Sequence, residues 1–472
     1  MAEEPAGQGS WIDRCMGNQT ERIVELPTGH WVRFLHVADI HLDSPLKGLR
    51  SYPGAPKELV QHATRSALGR MVDLAIAERV DFVVVAGDLY DGSWPDQSTG
   101  LYFSQQMSRL RHEEIPVFII RGNHDAASRV TEKLELPENV FLLAPGLVTT
   151  VAHPILEQRR VKVHGHSYAD AAVIDSVMDM FPRAAEDYFN LGVLHTAMEG
   201  DQQHQRYAPC SLDDLRSKGY DYWALGHVHQ RRLVCQEPMV VFPGNIQGRH
   251  IRETGAKGCY LVEVDRQKQS RLTFHALDVL RWVHWELDVS HVDDPLELQR
   301  QIRLQFEREW DLAWSADDTT VVSPGGANEL TEQVVHQPEA LAIRLTIKVG
   351  REVYASVRRQ LDQLTLDLRS MLTDLSKSRG WLEKVQLPVP ATVPTFGDSA
   401  GPRELLEQLV GNAAEDFELK VRLRGPISDL LKKMPTEIGE RLGQLNSDDQ
   451  QLAERIASLP QLIDAIPPHR DQ

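Results

Sequence analysis

At 472 residues the chain is too long for one hydrophobic core, so two or three domains are expected. Its 42 % hydrophobic and 25 % charged content is that of an ordinary globular protein, and its net charge of −17 argues, for the chain as a whole, against a strongly cationic nucleic-acid binder. A basic groove or bound cations can still reverse that sign locally.

Residues 1–30 are polar, carry no basic-then-apolar signal pattern and read as a disordered lead-in. No apolar run approaches the roughly 18 residues of a membrane span. Cys15, Cys210, Cys235 and Cys259 lack CxxC spacing, which fits reduced thiols and a cytoplasmic location.

The first structured stretch is FLHVADIHL at 34–42, an apolar run that ends in Asp39-x-His41. It reads as a short buried parallel strand whose last residues emerge at a sheet edge. Side chains two apart share a face of an extended chain, so this carboxylate and imidazole can converge on one ion. Alone, Asp-x-His is an ordinary loop start.

A Gly- and Pro-rich loop follows, and then Leu68, Met71, Val72, Ala75 and Ile76 repeat at helical spacing. Residues 81–88 are a second buried strand ending in Gly87-Asp88, residues 98–111 a second helix, and residues 115–121 a third strand ending in Gly122-Asn123-His124-Asp125. This is β-α-β-α-β with polar residues at each strand's carboxyl end, the edge where open α/β sheets place their sites. Further strands are expected at 161–164, at 191–195 ending in His195, and at 222–226 ending in Gly226-His227-Val228-His229. Residues 239–242, 258–264 and 272–276 alternate as antiparallel strands. Together these later strands suggest a second sheet, so residues 31–280 read as a two-sheet α/β sandwich.

From about residue 280 the register changes. A strand at 283–289, a helix at 295–309, a long polar loop at 314–337, a strand at 340–349 and one long amphipathic helix over 353–375 make a smaller α+β domain, residues 281–387. Pro388, Pro390, Pro394, Gly397, Gly401 and Pro402 mark a linker at 388–403. Residues 404–472 read as a helical tail, with Leu405, Leu406, Leu409 and Val410 on one stretch, Leu452, Ile456 and Leu459 on another, and a capping box at Ser447 and Gln450.

The five polar clusters supply carboxylates, an amide oxygen and imidazoles, a donor set suited to Mn²⁺, Fe²⁺ or Zn²⁺ rather than to a soft thiolate site. They are too many for one ion and fit two, with Asp88, central in the set, as the bridging carboxylate. Two ions roughly 3.5–4 Å apart would activate a water and clamp a phosphoryl oxygen. The glycines at 87, 122 and 226 let the backbone turn sharply off the sheet. His164 and His166 repeat the H-x-H spacing but precede the later blocks and read as structural. Arg249, His250 and Arg252 follow a Pro-Gly-Asn turn and are candidates for substrate phosphates.

The order D-x-H, GD-x-x-D, GNHD, H, GH-x-H resembles the calcineurin-like metallophosphoesterase superfamily. Within it, FLHVADIHL (34–42) and PGNIQGRHIRE (243–253) are similar to the DNA repair exonucleases of the SbcD and YhaO type. That resemblance implies a two-sheet metallophosphoesterase sandwich, a smaller capping domain and a tail that binds an SMC-like ATPase of the YhaN/SbcC type. It implies two divalent ions, most simply Mn²⁺, one held by Asp39, His41, Asp88 and His229 and the other by Asp88, Asn123, His195 and His227. His124 would protonate the leaving oxygen or stabilise its charge, and Asp91 would orient His124, with Asp125 as a further supporting carboxylate.

The function expected is a metal-dependent DNA phosphodiesterase, an exonuclease with endonuclease activity left open, in DNA repair. Its partners would be DNA and the ATPase, with no membrane, and a homodimer left open. The alternatives are a phosphoesterase for a small diester or monoester, and a scaffold with a decayed site. The scaffold is disfavoured because no ligand is missing.

Overall fold

The computed structural model of the protein describes residues 31–46, 57–91, 97–126, 136–170, 173, 175–198, 208–315, 321–322, 330–332, 337–377 and 379–390. The chain divides into two compact units, Met1–Pro390 and Ala391–Gln472, and every described residue lies in the first. The lead-in, most of the linker and the tail expected from the sequence therefore lie outside the described residues.

The first strands and helices run β1 (Val32–Val37), α1 (Lys57–Ala77), β2 (Phe82–Ala86), α2 (Ser98–His112), β3 (Val117–Ile120), the single turn α3 (Asn123–Ala126) and β4 (Val140–Leu142). β1, β2, β3 and β4 pair in parallel. All five residues of β2 are buried. That is why it reads as a continuous apolar run: a central parallel strand is covered on both faces.

Next come β5 (Val148–Thr150), α4 (Pro154–Gln158), β6 (Val161–His166), β7 (Phe189–His195), α5 (Leu212–Ser217), β8 (Tyr222–Gly226), β9 (Arg232–Gln236) and β10 (Met239–Phe242). They form a six-stranded sheet in the order β5-β6-β7-β8-β10-β9, with β6, β7, β8 and β10 parallel. Then β11 (Gly258–Val264) and β12 (Ser270–Ala276) follow. The sequence reading grouped these with the second sheet, but the fold separates them. β11 pairs antiparallel with β1, and β12 with β11, so both extend the first sheet. Alternation reports that a strand has two unlike faces; it carries no information on which open edge the strand will join.

β13 (Leu280–Val289), α6 (Pro295–Ser315), β14 (Val321–Val322), β15 (Leu330–Glu332), β16 (Ala340–Val349), α7 (Arg351–Arg359), α8 (Leu361–Ser376) and β17 (Gly380–Gln386) complete the unit. β13, β16 and β17 make a third sheet, all parallel, with helices between successive strands. Two differences from expectation stand out. The polar stretch 314–337 contributes β14 and β15, which return to the first sheet beside β12. The single amphipathic helix is two helices, broken at Gln360 (φ −103°, ψ 8°), which both ends α7 and precedes α8.

The core lies between the two large sheets, where Phe34, Phe82, Phe118, Leu191 and Tyr222 are buried together. A second layer holds α1 and α2 against the first sheet through Leu68, Met71, Phe103 and Met107. A separate cluster, including Phe306, Leu345 and Leu372, packs α6 and α8 on the third sheet. Val279, Leu280, Trp282 and Ala342 join that sheet to α1 through Val60 and Ala63. Among the described residues, no helix is long and apolar enough to cross a membrane. Cys210, Cys235 and Cys259 are free thiols.

Candidate active site

The site forms where β1, β2 and β3 of one sheet and β7 and β8 of the other end side by side. Past the end of β1 the chain keeps pairing with its neighbour: Asp39 N–H donates to the Gly87 carbonyl (3.1 Å) and His41 N–H to the Asp88 carbonyl (3.0 Å). The side chains that follow are therefore delivered in fixed order.

The backbone turns at the candidate residues themselves. Asp39 (φ 50°), His41 (φ 45°), Asp88 (φ 50°) and His227 (φ 98°) all sit in the left-handed region. Each costs on the order of 1 kcal/mol or more, a strain that persists only where the surroundings impose it. The glycines work differently from the sequence reading. Gly87 has a positive φ of 86°, but Gly122 and Gly226 do not; they are there for space. A Cβ at Gly122 would collide with the Asp88 carboxylate, and one at Gly226 with the Ala86 carbonyl.

Asp39, His41 and Asp88 are buried, as is His195. The ligating atoms of Asp39, His41 and His229 lie within 4.8 Å of one another, as do those of Asp39, Asp88 and His195. Nε2 of His41 and Nε2 of His229 are 3.1 Å apart. Asn123 Oδ1 lies 3.0 Å from His195 Nε2. The His227 ring stands edge-on to His195, centroids 5.1 Å apart, and its backbone N–H donates to both oxygens of Asp39 (3.1 and 3.0 Å). All seven metal-ligand candidates thus converge. Carboxylates and imidazole nitrogens crowded at this spacing, with an amide oxygen and no thiolate, fit divalent cations of the Mn²⁺, Fe²⁺ or Zn²⁺ kind.

Charge is unevenly distributed. Burial raises the Asp39 carboxyl above its ordinary value. Burial would do the same to Asp88, but the imidazoles of His195, His41 and His124 outweigh it and hold Asp88 well below the usual carboxylate range. Burial alone would lower His195; the neighbouring Asp88 carboxylate instead raises it to about 9.

His124 is half-buried, its side chain 40 % accessible. Its Nδ1 lies 2.9 Å from Asp91 Oδ1, and its Nε2 lies 4.0 Å from Asp88 Oδ2. The hydrogen bond to Asp91 raises the imidazole and lowers the carboxyl, so the pair favours a protonated His124 beside an ionised Asp91. Asp91 Oδ2 accepts from Ser44 Oγ at 2.7 Å, a contact the sequence offered no pattern to find. Asp125 points away from the cluster: its carboxylate accepts from the backbone N–H groups of Leu89, Tyr90 and Gly122, bracing two of the loops.

The three substrate-binding candidates separate. Arg249 lies in the site, its Nη1 3.5 Å from Asp91 Oδ2 and 3.3 Å from Ser44 Oγ. His250 is at the rim, 3.4 Å from Glu253 Oε1. Arg252 is exposed, and it is its backbone N–H that bonds to His250 Nδ1. Glu253 is the residue the sequence reading passed over. It is 7 % exposed, and its Oε1 is 2.8 Å from His229 Nδ1. Burial would raise its carboxyl, but the bond to His229 and the nearby Arg249 hold it well below the usual range. It closes the quoted stretch 243–253, and no motif spacing marks it. His164 and His166 stand on β6 away from the cluster, His164 bonded to Thr150 and His166 edge-on to Tyr168.

The sequence pattern of the calcineurin-like phosphoesterase family matches residues 32–231, the span that contains all five clusters. The chain is 35 % identical over 276 residues to a protein of Bacillus subtilis named uncharacterized metallophosphoesterase YhaO, an alignment covering 58 % of this chain and 67 % of that one. It is 26 % identical over 204 residues to the DNA double-strand break repair protein Mre11 of Sulfurisphaera tokodaii, covering 43 % of this chain and half of the relative.

Proposed function

This chain belongs to the calcineurin-like phosphoesterase family, and on that premise we propose that it hydrolyses phosphodiester bonds of DNA, as an exonuclease, using two divalent cations, most simply Mn²⁺. One ion falls to Asp39, His41, Asp88 and His229, the other to Asp88, Asn123, His195 and His227. Bound there, the cations would supply Lewis-acid charge and a water made acidic enough to attack at neutral pH.

The protein's own residues do the rest. His124, protonated and held by Asp91, gives a proton from Nε2 to the leaving oxygen, a role worth roughly 10²–10⁴ in rate. Asp91 fixes the ring through Nδ1 and is itself fixed by Ser44. Arg249, beside Asp91, is placed to meet a non-bridging phosphate oxygen, with His250 at the rim.

The observation that carries this reading is the half-buried His124–Asp91 pair beside seven convergent metal-type side chains, of which Asp39, His41, Asp88 and His195 are buried. The Mre11 relative, and the third sheet beyond what the ester chemistry requires, favour DNA over a small ester. Linear duplex DNA, single strands and bis-p-nitrophenyl phosphate, each offered with Mn²⁺, test it. Shortening of end-labelled DNA is expected; hydrolysis of the small diester with every DNA left intact would favour the small-substrate alternative.

For partners, we propose an SMC-like ATPase docking on residues 404–472. A chain ending at Gln386 should hydrolyse the small diester and fail to co-purify with that ATPase. Pull-down by the shortened chain would move the docking site elsewhere.

A further inference from the structure

We propose that Glu253 is a positioning residue for His229, holding the proton on its Nδ1 so that Nε2 presents a lone pair to the rest of the site. The proposal rests on the metal-dependent reading above.

An ionised carboxylate only accepts, so the proton shared across the 2.8 Å contact belongs to His229 Nδ1. Nε2 then keeps its lone pair, and it faces His41 Nε2 at 3.1 Å and Asp39 Oδ1 at 3.9 Å. The carboxylate cannot swing away. Its Oε2 accepts from Arg249 N–H (2.7 Å) and from Asn245 Nδ2 (3.0 Å). The backbone of His229 is gripped as well: its carbonyl accepts from Lys257 Nζ (2.9 Å).

His195 makes the argument by contrast. Its Nδ1 lies 2.9 Å from the Ala86 carbonyl, so a backbone oxygen sets its tautomer. Among the described residues no backbone carbonyl meets His229 Nδ1; Arg249 Nη2 stands 3.4 Å off, and the shorter contact, 2.8 Å, is to a carboxylate from 24 residues downstream, which takes the task. An acceptor behind the far nitrogen of a ligating imidazole raises its basicity and fixes its orientation, and losing one costs roughly 10–100-fold in metal affinity.

Glu253→Gln tests this without a substrate. The variant is close to isosteric, but the two donors at Oε2 claim its one oxygen and leave its NH₂ facing Nδ1, which favours the opposite tautomer. Titration calorimetry with Mn²⁺ should show one of two sites weakened roughly 10–100-fold. Asn245→Ala removes one of the two bonds that pin the same carboxylate and none to His229, and it should weaken Mn²⁺ binding by clearly less than Glu253→Gln does. Wild-type affinity in Glu253→Gln, or an equal loss in both variants, overturns the proposal.

Should Glu253→Gln fail to fold, ¹⁵N NMR of histidine-labelled wild type at pH 8, with His229 assigned by His229→Gln, decides instead. An Nδ1–H signal upholds the proposal and an Nε2–H signal sinks it. A wild type that binds two ions yet leaves DNA intact would count against the DNA substrate and leave the Glu253 assignment standing.

Discussion

Residues 31–280 and residues 280–390 are built by one device, parallel strands joined by helices, yet their strand ends are spent differently. β1, β2 and β3 end in Asp39-x-His41, Asp88 and Asn123-His124, three of them residues in left-handed backbone. β13 and β16 end in Val289 and Val349, and the next residues start helices or turns: Gly350 caps α7, and Ser290 Oγ donates to Asp288. Among the described residues, every cluster of three metal-type side chains lies in the first region. Topology supplies an edge where a site can sit; the residues placed at that edge decide whether one exists.

The comparison breaks most sharply at Asp88. Asp88→Ala should abolish activity and lower the bound metal from two ions towards one or none. Elemental analysis still finding two would remove Asp88 as the shared ligand and with it the single-centre reading of the first region. His124→Gln should keep both metals and lose roughly 10²–10⁴ in rate, with a milder loss for Asp91→Asn. Near-normal turnover on DNA would take His124 out of the mechanism.

The second region should answer in stability instead. Phe306 is fully buried, edge-on to Trp285 with centroids 5.2 Å apart. Phe306→Ala should cost roughly 3–5 kcal/mol on denaturant unfolding, with Mn²⁺ titration of the folded protein unchanged. Loss of metal binding alongside would mean that the third sheet supports the site and that the two regions act as one. The smallest effect is expected at Ser44, whose hydroxyl steadies Asp91 and accepts from Arg249. Ser44→Ala should slow turnover about fivefold, near 1 kcal/mol. A loss as large as that of His124→Gln would promote Ser44 from steadying group to participant.

Much of the first region was legible because local sequence carries it. A buried parallel strand must be apolar throughout, and the chain must leave it at a defined edge. FLHVADIHL therefore showed both β1 and the two polar residues that follow it, Asp39 and His41, and the placement of Asp88, Asn123, His195, His227 and His229 at or just past a strand end was legible in the same way. The second region's β17, GWLEKVQ, went unread, since seven residues with a polar alternation and no flanking motif look like surface.

What the sequence by itself determined is the set of polar strand-end residues and their order, because each is fixed within a few residues by strand, glycine and turn. What only the tertiary structure decided is which edges pair and which side chains meet from afar. β11 lies against β1 rather than in the second sheet. Ser44 meets Asp91 across 47 positions, and Glu253 meets His229 across 24. No spacing rule anticipates such contacts, for they depend on how two sheets and a returning turn pack, a property of the whole fold and not of any segment in it.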